Sequence, residues 1–265
     1  MAINEYLIAL RNVAVGSNLY SLYMAAAPRK MVSYASECMF LAKQLHPNGD
    51  LPQMNVWEYF KYYEPLPVRL DGKTGYCEWF REFGSYTIDL IAMCMLCRII
   101  RPSVIFEIGT YHGCGALHWA MNAPEADVYT LDLPPNKTPC LRTTSVDKFH
   151  IEDRTKDDSR MAYSGRSEAK RIFRLFGDSA FFDYGRWHRR VGLFFVDGAH
   201  SYEYVDIDSR HAFECCRSGS VIAWHDYGRT GVNGVTRKLN ELASMGLAIK
   251  RVPGGSIAYL QVPEQ

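Results

Sequence analysis

Cysteine is sparse. Eight residues in a chain of 265 cannot staple a small disulfide scaffold, so stability must come from an apolar core. Cys94 and Cys97 form a C-x-x-C, but they lie inside an apolar helical stretch with no second pair at ligand spacing, and read as buried thiols. Net charge is nearly absent too. Thirty Lys+Arg oppose 29 Asp+Glu, a formal +1, so no overall field draws the chain to nucleic acid or to an acidic membrane. The most apolar run, Ile88 to Ile100, is broken by Asp89 and Arg98. It falls short of the ~20 residues a membrane span needs and predicts a buried helix. The opening Met1-Ala-Ile-Asn-Glu-Tyr lacks a basic region followed by an apolar stretch and a cleavage site. No secretory signal is expected, and the expected compartment is the reducing cytoplasm. Neither G-x-G-x-x-G nor G-x-x-x-x-G-K-[ST] occurs, so no pyrophosphate-seating fingerprint is present.

Aromatic residues, by contrast, are plentiful at 13%, with 17 Tyr. Many crowd a first segment, residues 1–84. There Met31, Ala35, Cys38, Ala42 and Leu45 mark one face of an amphipathic helix, which must bury against something. Trp57, Tyr59, Phe60, Tyr62, Tyr63, Tyr76, Trp79 and Phe80 follow among turn residues. They suit either a recognition surface or the core of a cap, and a homo-oligomer contact through this segment is a further expectation.

Residues 85–265 are more regular. Apolar runs at Val104–Ile108, Val128–Leu131, Ile172–Phe176, Val191–Val196 and Ser220–Trp224 read as strands, most of them covered on both faces of a parallel sheet. Helical segments are expected near 114–122, 179–187, 202–216 and 231–244. Two last strand-like runs flank Pro253-Gly-Gly255, a hairpin signal. The stretch from about Pro134 to Lys170 is charged and long for a connection, and is either a lid or a surface loop.

The strongest local motif is Glu107-Ile-Gly109-Thr110-Tyr-His-Gly113-Cys-Gly115, directly after the first strand. Glycines there allow a tight turn and close approach of a ligand. Asp132 ends the second strand, where a carboxylate can accept hydrogen bonds from both ribose hydroxyls. Asp178 ends the third, within reach of an adenine amino group. Ligands of open α/β sheets lie along that edge.

Together with Phe-Val-Asp197-Gly-Ala-His200-Ser-Tyr and Ala-Trp-His225-Asp226-Tyr227, these motifs resemble class I S-adenosylmethionine-dependent methyltransferases. Within them they resemble the small-molecule O-methyltransferase branch that includes natural-product and sugar methyltransferases. The resemblance covers about residues 85–262. It implies an α/β, Rossmann-like, doubly wound and mostly parallel seven-stranded sheet with a C-terminal antiparallel hairpin, carrying an N-terminal helical cap. It also implies that Gly109 and Gly113 line the methionine moiety, Asp132 holds the ribose, Asp178 lies by the adenine, and Glu107 positions the loop or the amino group. Thr110 and Asp197 complete the cofactor set.

Methyl transfer needs an aligned nucleophile, exclusion of water and removal of a proton. His200 is the expected general base, since an unperturbed imidazole is mostly neutral at pH 7. Asp197 and Asp226 offer hard oxygen ligands for Mg²⁺, useful for an aliphatic hydroxyl. Catechol-type metal-dependent relatives carry an asparagine and a lysine where this chain has Tyr227 and His200. A structural hydrogen-bond cluster is the alternative for these residues. Asp132-Leu-Pro-Pro-Asn136 is set aside as a nucleobase motif, because it follows the wrong strand. Basic groups such as Arg171, Arg174 and Arg186 read as solvated faces. The expected partner is a small hydroxylated molecule. The rival readings are a catalytically silent cofactor-binding protein and a nicotinamide oxidoreductase, the latter disfavoured by the glycine spacing.

Overall fold

Interior strands are built where the apolar runs predict them. A computed structural model describes residues 51–72, 84–153, 157–229 and 231–263, all within the unit Pro47–Gln265. The amphipathic pattern from Met31 to Leu45, and with it most of the expected cap, lies outside the described residues.

Seven strands form one sheet: β1 (Val104–Ile108), β2 (Asp127–Asp132), β3 (Ile172–Phe176), β4 (Val191–Val196), β5 (Cys216–Trp224), β6 (Lys250–Arg251) and β7 (Ala258–Gln261). Their order is β3-β2-β1-β4-β5-β7-β6. The first five run parallel, and β7 joins antiparallel to β5 and β6. The order reverses between β1 and β4. Their C-terminal ends therefore flank a crevice, where open α/β sheets bind ligands.

The helices are α1 (Val56–Tyr59), α2 (Gly84–Ile100), α3 (Cys114–Asn122), α4 (Ser145–Asp153), α5 (Tyr202–Cys215) and α6 (Asn233–Ser244). Alternate strand residues feed two cores. Ile105, Leu193 and Phe195 pack with Met93, Leu96 and Leu117 of α2 and α3. Phe106, Phe194 and Ile222 pack with Val205 and Leu239 of α5 and α6. β4 is buried at every position, which is why its sequence does not alternate. None of these helices is long and apolar enough to cross a membrane.

Three expectations change. The helix near 179–187 reduces to a single 3-10 turn at Gly185–Trp187. Asp178 and Asp183 accept from the backbone N–H groups of Ala180 (3.1 Å) and Gly185 (2.9 Å), a local alternative to helix bonding. The charged stretch after Pro134 is not only loop, because it contains α4. Part of the aromatic segment belongs to the sheet's own core: Tyr59 meets Tyr259 edge-on at 5.1 Å, and Gln53 bridges to Arg251.

Candidate active site

The turn after β1 is made by Gly109, at φ +102°. A Cβ there would lie 2.0 Å from the Asp197 carbonyl oxygen, so only glycine lets β1 and β4 close at this point. Glu107 is buried beneath the turn, 2% exposed. Its Oε1 accepts from Trp119 Nε1 (2.7 Å) and its Oε2 from Thr130 Oγ1 (2.6 Å), while Thr130 Oγ1 lies 2.7 Å from Thr110 Oγ1. Burial pushes the Glu107 carboxyl up to about 8, against the hydrogen bonds from Thr130 and Trp119. Gly115 leaves the space this carboxylate fills, since a Cβ would sit 2.4 Å from Oε1. Glu107 thus ties α3, β2 and the loop together.

Asp132 and Asp178 stand at the next two strand ends and line the same pocket as Glu107, Gly109, Thr110, Asp197 and His200. Asp178 Oδ2 accepts from Cys140 N (2.7 Å) and from the Tyr204 hydroxyl (2.8 Å). Asp132 Oδ1 accepts from Leu133 N at 2.8 Å.

Beyond β4 and β5 the pocket wall is ionic. His200 Nδ1 donates to Asp147 Oδ1 (2.5 Å), and Nε2 lies 2.8 Å from Asp226 Oδ2. Burial drives this ring toward neutrality, but the bonds to Asp147 and Asp226 outweigh it and raise its pKa to about 10. His225 Nδ1 is 3.1 Å from Asp197 Oδ1 and 3.3 Å from Asp226 Oδ1, and its Nε2 is 3.3 Å from Asp89 Oδ2. Its pKa also rises well above the usual value, because the Asp197 and Asp226 charges overcome burial. Arg229 Nε adds a cation 2.9 Å from Asp226 Oδ1, and its NH1 donates to the Tyr86 hydroxyl (2.6 Å). Burial opposes the Asp226 charge, yet His225 and Arg229 hold its carboxyl well below the usual carboxylate range.

Residues 106–227 match a family described as a methyltransferase domain. The match takes in the glycine turn, both acidic strand ends and the ionic wall. No curated relative matches the chain in sequence. Solved structures similar to it include the O-methyltransferase TomG from Streptomyces achromogenes, involved in tomaymycin synthesis and in complex with S-adenosylmethionine. It is 18% identical, with 78% of this chain and 96% of that one covered and a TM-score of 0.47. A methyltransferase from Geobacter sulfurreducens is 16% identical, with 81% and 98% covered and a TM-score of 0.47. A calicheamicin methyltransferase is 18% identical, with 66% and 79% covered and a TM-score of 0.48.

The matched residues thus include Glu107, Gly109, Thr110, Asp132, Asp178, Asp197, His200 and Asp226, gathered around one pocket. Gly113 does not line it. That residue has φ +74°, and a Cβ on it would meet the Tyr163 ring at 2.6 Å. His200 is not a free imidazole, because carboxylates hold both ring nitrogens. Sequence reasoning missed Asp147, His150, Tyr86 and Asp89, all of which line the pocket. A signal existed for Asp147. Thr144 and Asp147 form a reciprocal cap at the start of α4, with Thr144 N donating to Asp147 Oδ2 (2.6 Å) and Asp147 N to Thr144 Oγ1 (3.2 Å), and the T-x-x-D spacing marks such a box. None of the described aromatic residues of 51–72 lines the pocket.

Proposed function

We propose that the methyltransferase domain moves a methyl group from S-adenosylmethionine to a hydroxyl of a small molecule or sugar. One observation carries this reading. Two acidic strand ends, Asp132 and Asp178, share a single pocket with the ionic wall of Asp197, His200, His225 and Asp226. A nucleoside site and a proton-handling site therefore adjoin. S-adenosylmethionine supplies an activated methyl group when bound. The chain's part is to hold it, exclude water and align the acceptor. Asp132 faces the ribose and Asp178 the adenine, while the glycine turn leaves room for the methionine end. Glu107 acts from below, by positioning the turn.

Asp197, His225 and Asp226 also fit a divalent cation. Their ligand atoms all lie within 4.8 Å of one another. An ion would replace the proton that His225 shares with the two carboxylates, while Asp89 orients the ring from its far side. The set is mixed nitrogen and oxygen. It therefore suits Mn²⁺ or another transition ion better than the Mg²⁺ expected from the two aspartates alone. Such an ion would lower the pKa of an acceptor hydroxyl.

The cytoplasm is the proposed location. The test is a panel of hydroxylated acceptors, including phenols and nucleotide sugars, incubated with S-adenosylmethionine and read by mass spectrometry. One added methyl group that appears only with active enzyme supports the reading. Binding of S-adenosylhomocysteine with no product anywhere in the panel would favour a silent cofactor-binding protein.

A further inference from the structure

We propose that His150, on α4, accepts the proton of the substrate hydroxyl, and that His200, with both ring nitrogens held by carboxylates, does not. This inference rests on the reading above and assigns its base. A base needs a ring nitrogen open to the pocket. His200 has none, since Asp147 and Asp226 take both of its nitrogens. His225 has none either, held by Asp89 on one side and by Asp197 and Asp226 on the other.

His150 differs in each respect. Its ring lines the same pocket and is half-buried. The ring contacts around it are aromatic: Tyr111 meets it edge-on at 5.3 Å and Phe149 at 5.5 Å. No side-chain hydrogen bond joins it to a described residue. Its place is set by the helix. Asp147 and His150 stand three residues apart and so share one face of α4. Asp147 pins that face to His200 through both the ring and the His200 backbone N–H (3.1 Å), and the Thr144 cap fixes the start of the helix.

The charged groups that face His150 are His200, Asp226, Asp197 and Asp147, from three different elements. Burial lowers its pKa first, and the neighbouring His200 cation lowers it further, against the three carboxylates. The ring is therefore neutral at pH 7. In the transfer step the acceptor oxygen bonds to the methyl carbon as the carbon–sulfur bond breaks. Sulfur keeps that electron pair, leaving a neutral thioether, and the hydroxyl proton passes to the open nitrogen of His150. His200 keeps its contacts with Asp147 and Asp226 and holds them in place.

Two measurements on the full chain test this. Long-range nitrogen–proton spectra of protein labelled at histidine nitrogens, with S-adenosylhomocysteine bound, are compared between wild type and His150→Gln. The signals lost in the variant belong to His150. They are expected to show a neutral ring at pH 7.5, and an imidazolium there would overturn the proposal. His150→Gln is then assayed on the acceptor returned by the panel. A general base contributes roughly 10²–10⁴-fold, so kcat should fall by at least about 100-fold. The KM for the acceptor and the affinity for S-adenosylhomocysteine should stay within about threefold. A kcat within threefold of wild type overturns the proposal while leaving the methyltransferase reading intact. A wild type that binds no S-adenosylhomocysteine fails both.

Discussion

Asp147 reaches His200 across 53 positions of sequence and holds it twice, by the backbone N–H at 3.1 Å and by ring Nδ1 at 2.5 Å. The connection between β2 and β3 is thereby fastened to the end of β4. With Asp226 on Nε2, it leaves neither ring nitrogen of the most conspicuous histidine of the sequence without a carboxylate partner.

Asp147→Asn should loosen that fastening. The carboxylate uses both oxygens as acceptors, from His200 and from Thr144 N; an amide keeps only one, and the buried donor left unsatisfied costs about 1–3 kcal/mol. Chemical denaturation of the variant at pH 7 should report a loss of that size. An unchanged midpoint and slope would mean that Asp147 carries no structural weight.

Gly109→Ala should be far more damaging than its one added methyl group suggests. The backbone there is at φ +102°, and the new Cβ would meet the Asp197 carbonyl at 2.0 Å, a contact that backbone must move to relieve. The variant should lose at least about 2 kcal/mol of stability and at least about tenfold in S-adenosylhomocysteine affinity by calorimetry. Wild-type affinity would place the cofactor elsewhere.

Asp208 gives a pH dependence with a definite sign. It is fully buried, and burial pushes its carboxyl up to about 8, helped by the Asp178 charge and opposed by a hydrogen bond with Ser179. The unfolded carboxyl titrates near 3.9. Between roughly pH 4 and pH 8 the folded state keeps a proton that the unfolded state has released, so stability falls as pH rises and levels off above that window. Asp208→Asn removes this dependence. The variant should gain on wild type by on the order of 1 kcal/mol per pH unit between about pH 5 and 7, measured by denaturation at each pH. Parallel curves would show that Asp208 is not protonated when folded.

Divalent ions should raise the melting temperature of chelator-treated protein, Mn²⁺ more than Mg²⁺ because His225 contributes nitrogen. Asp197→Asn should abolish the shift. A shift that survives this substitution would place the ion elsewhere.

The sheet was legible because its central strands are covered on both faces, so that Val191–Val196 carries no polar side chain and Val104–Ile108 is broken only by Glu107. The hairpin was legible in Pro253-Gly-Gly255. Acidic residues at strand ends, Asp132 and Asp178, were visible because topology alone carries them to the sheet edge. What escaped depends on distant partners. Asp89 looked like a flaw in an apolar helix, yet it is 3% exposed and accepts from Ser256 N at 2.6 Å, Ser256 Oγ at 2.7 Å and Ile257 N at 3.2 Å. His150 sits in a charged stretch, which distant bonds such as Asp147–His200 and Cys140–Asp178 fasten to the pocket. The state of His200 was hidden for the same reason, since an imidazole's pKa is set by neighbours that the sequence does not name.

Calorimetric titration of the full chain with S-adenosylhomocysteine, and separately with NAD, addresses the cofactor pocket most directly. We expect S-adenosylhomocysteine to bind one per chain, with affinity lost in Asp132→Ala, and NAD to give no heat of binding. Saturable NAD binding with none for S-adenosylhomocysteine would contradict the assignment.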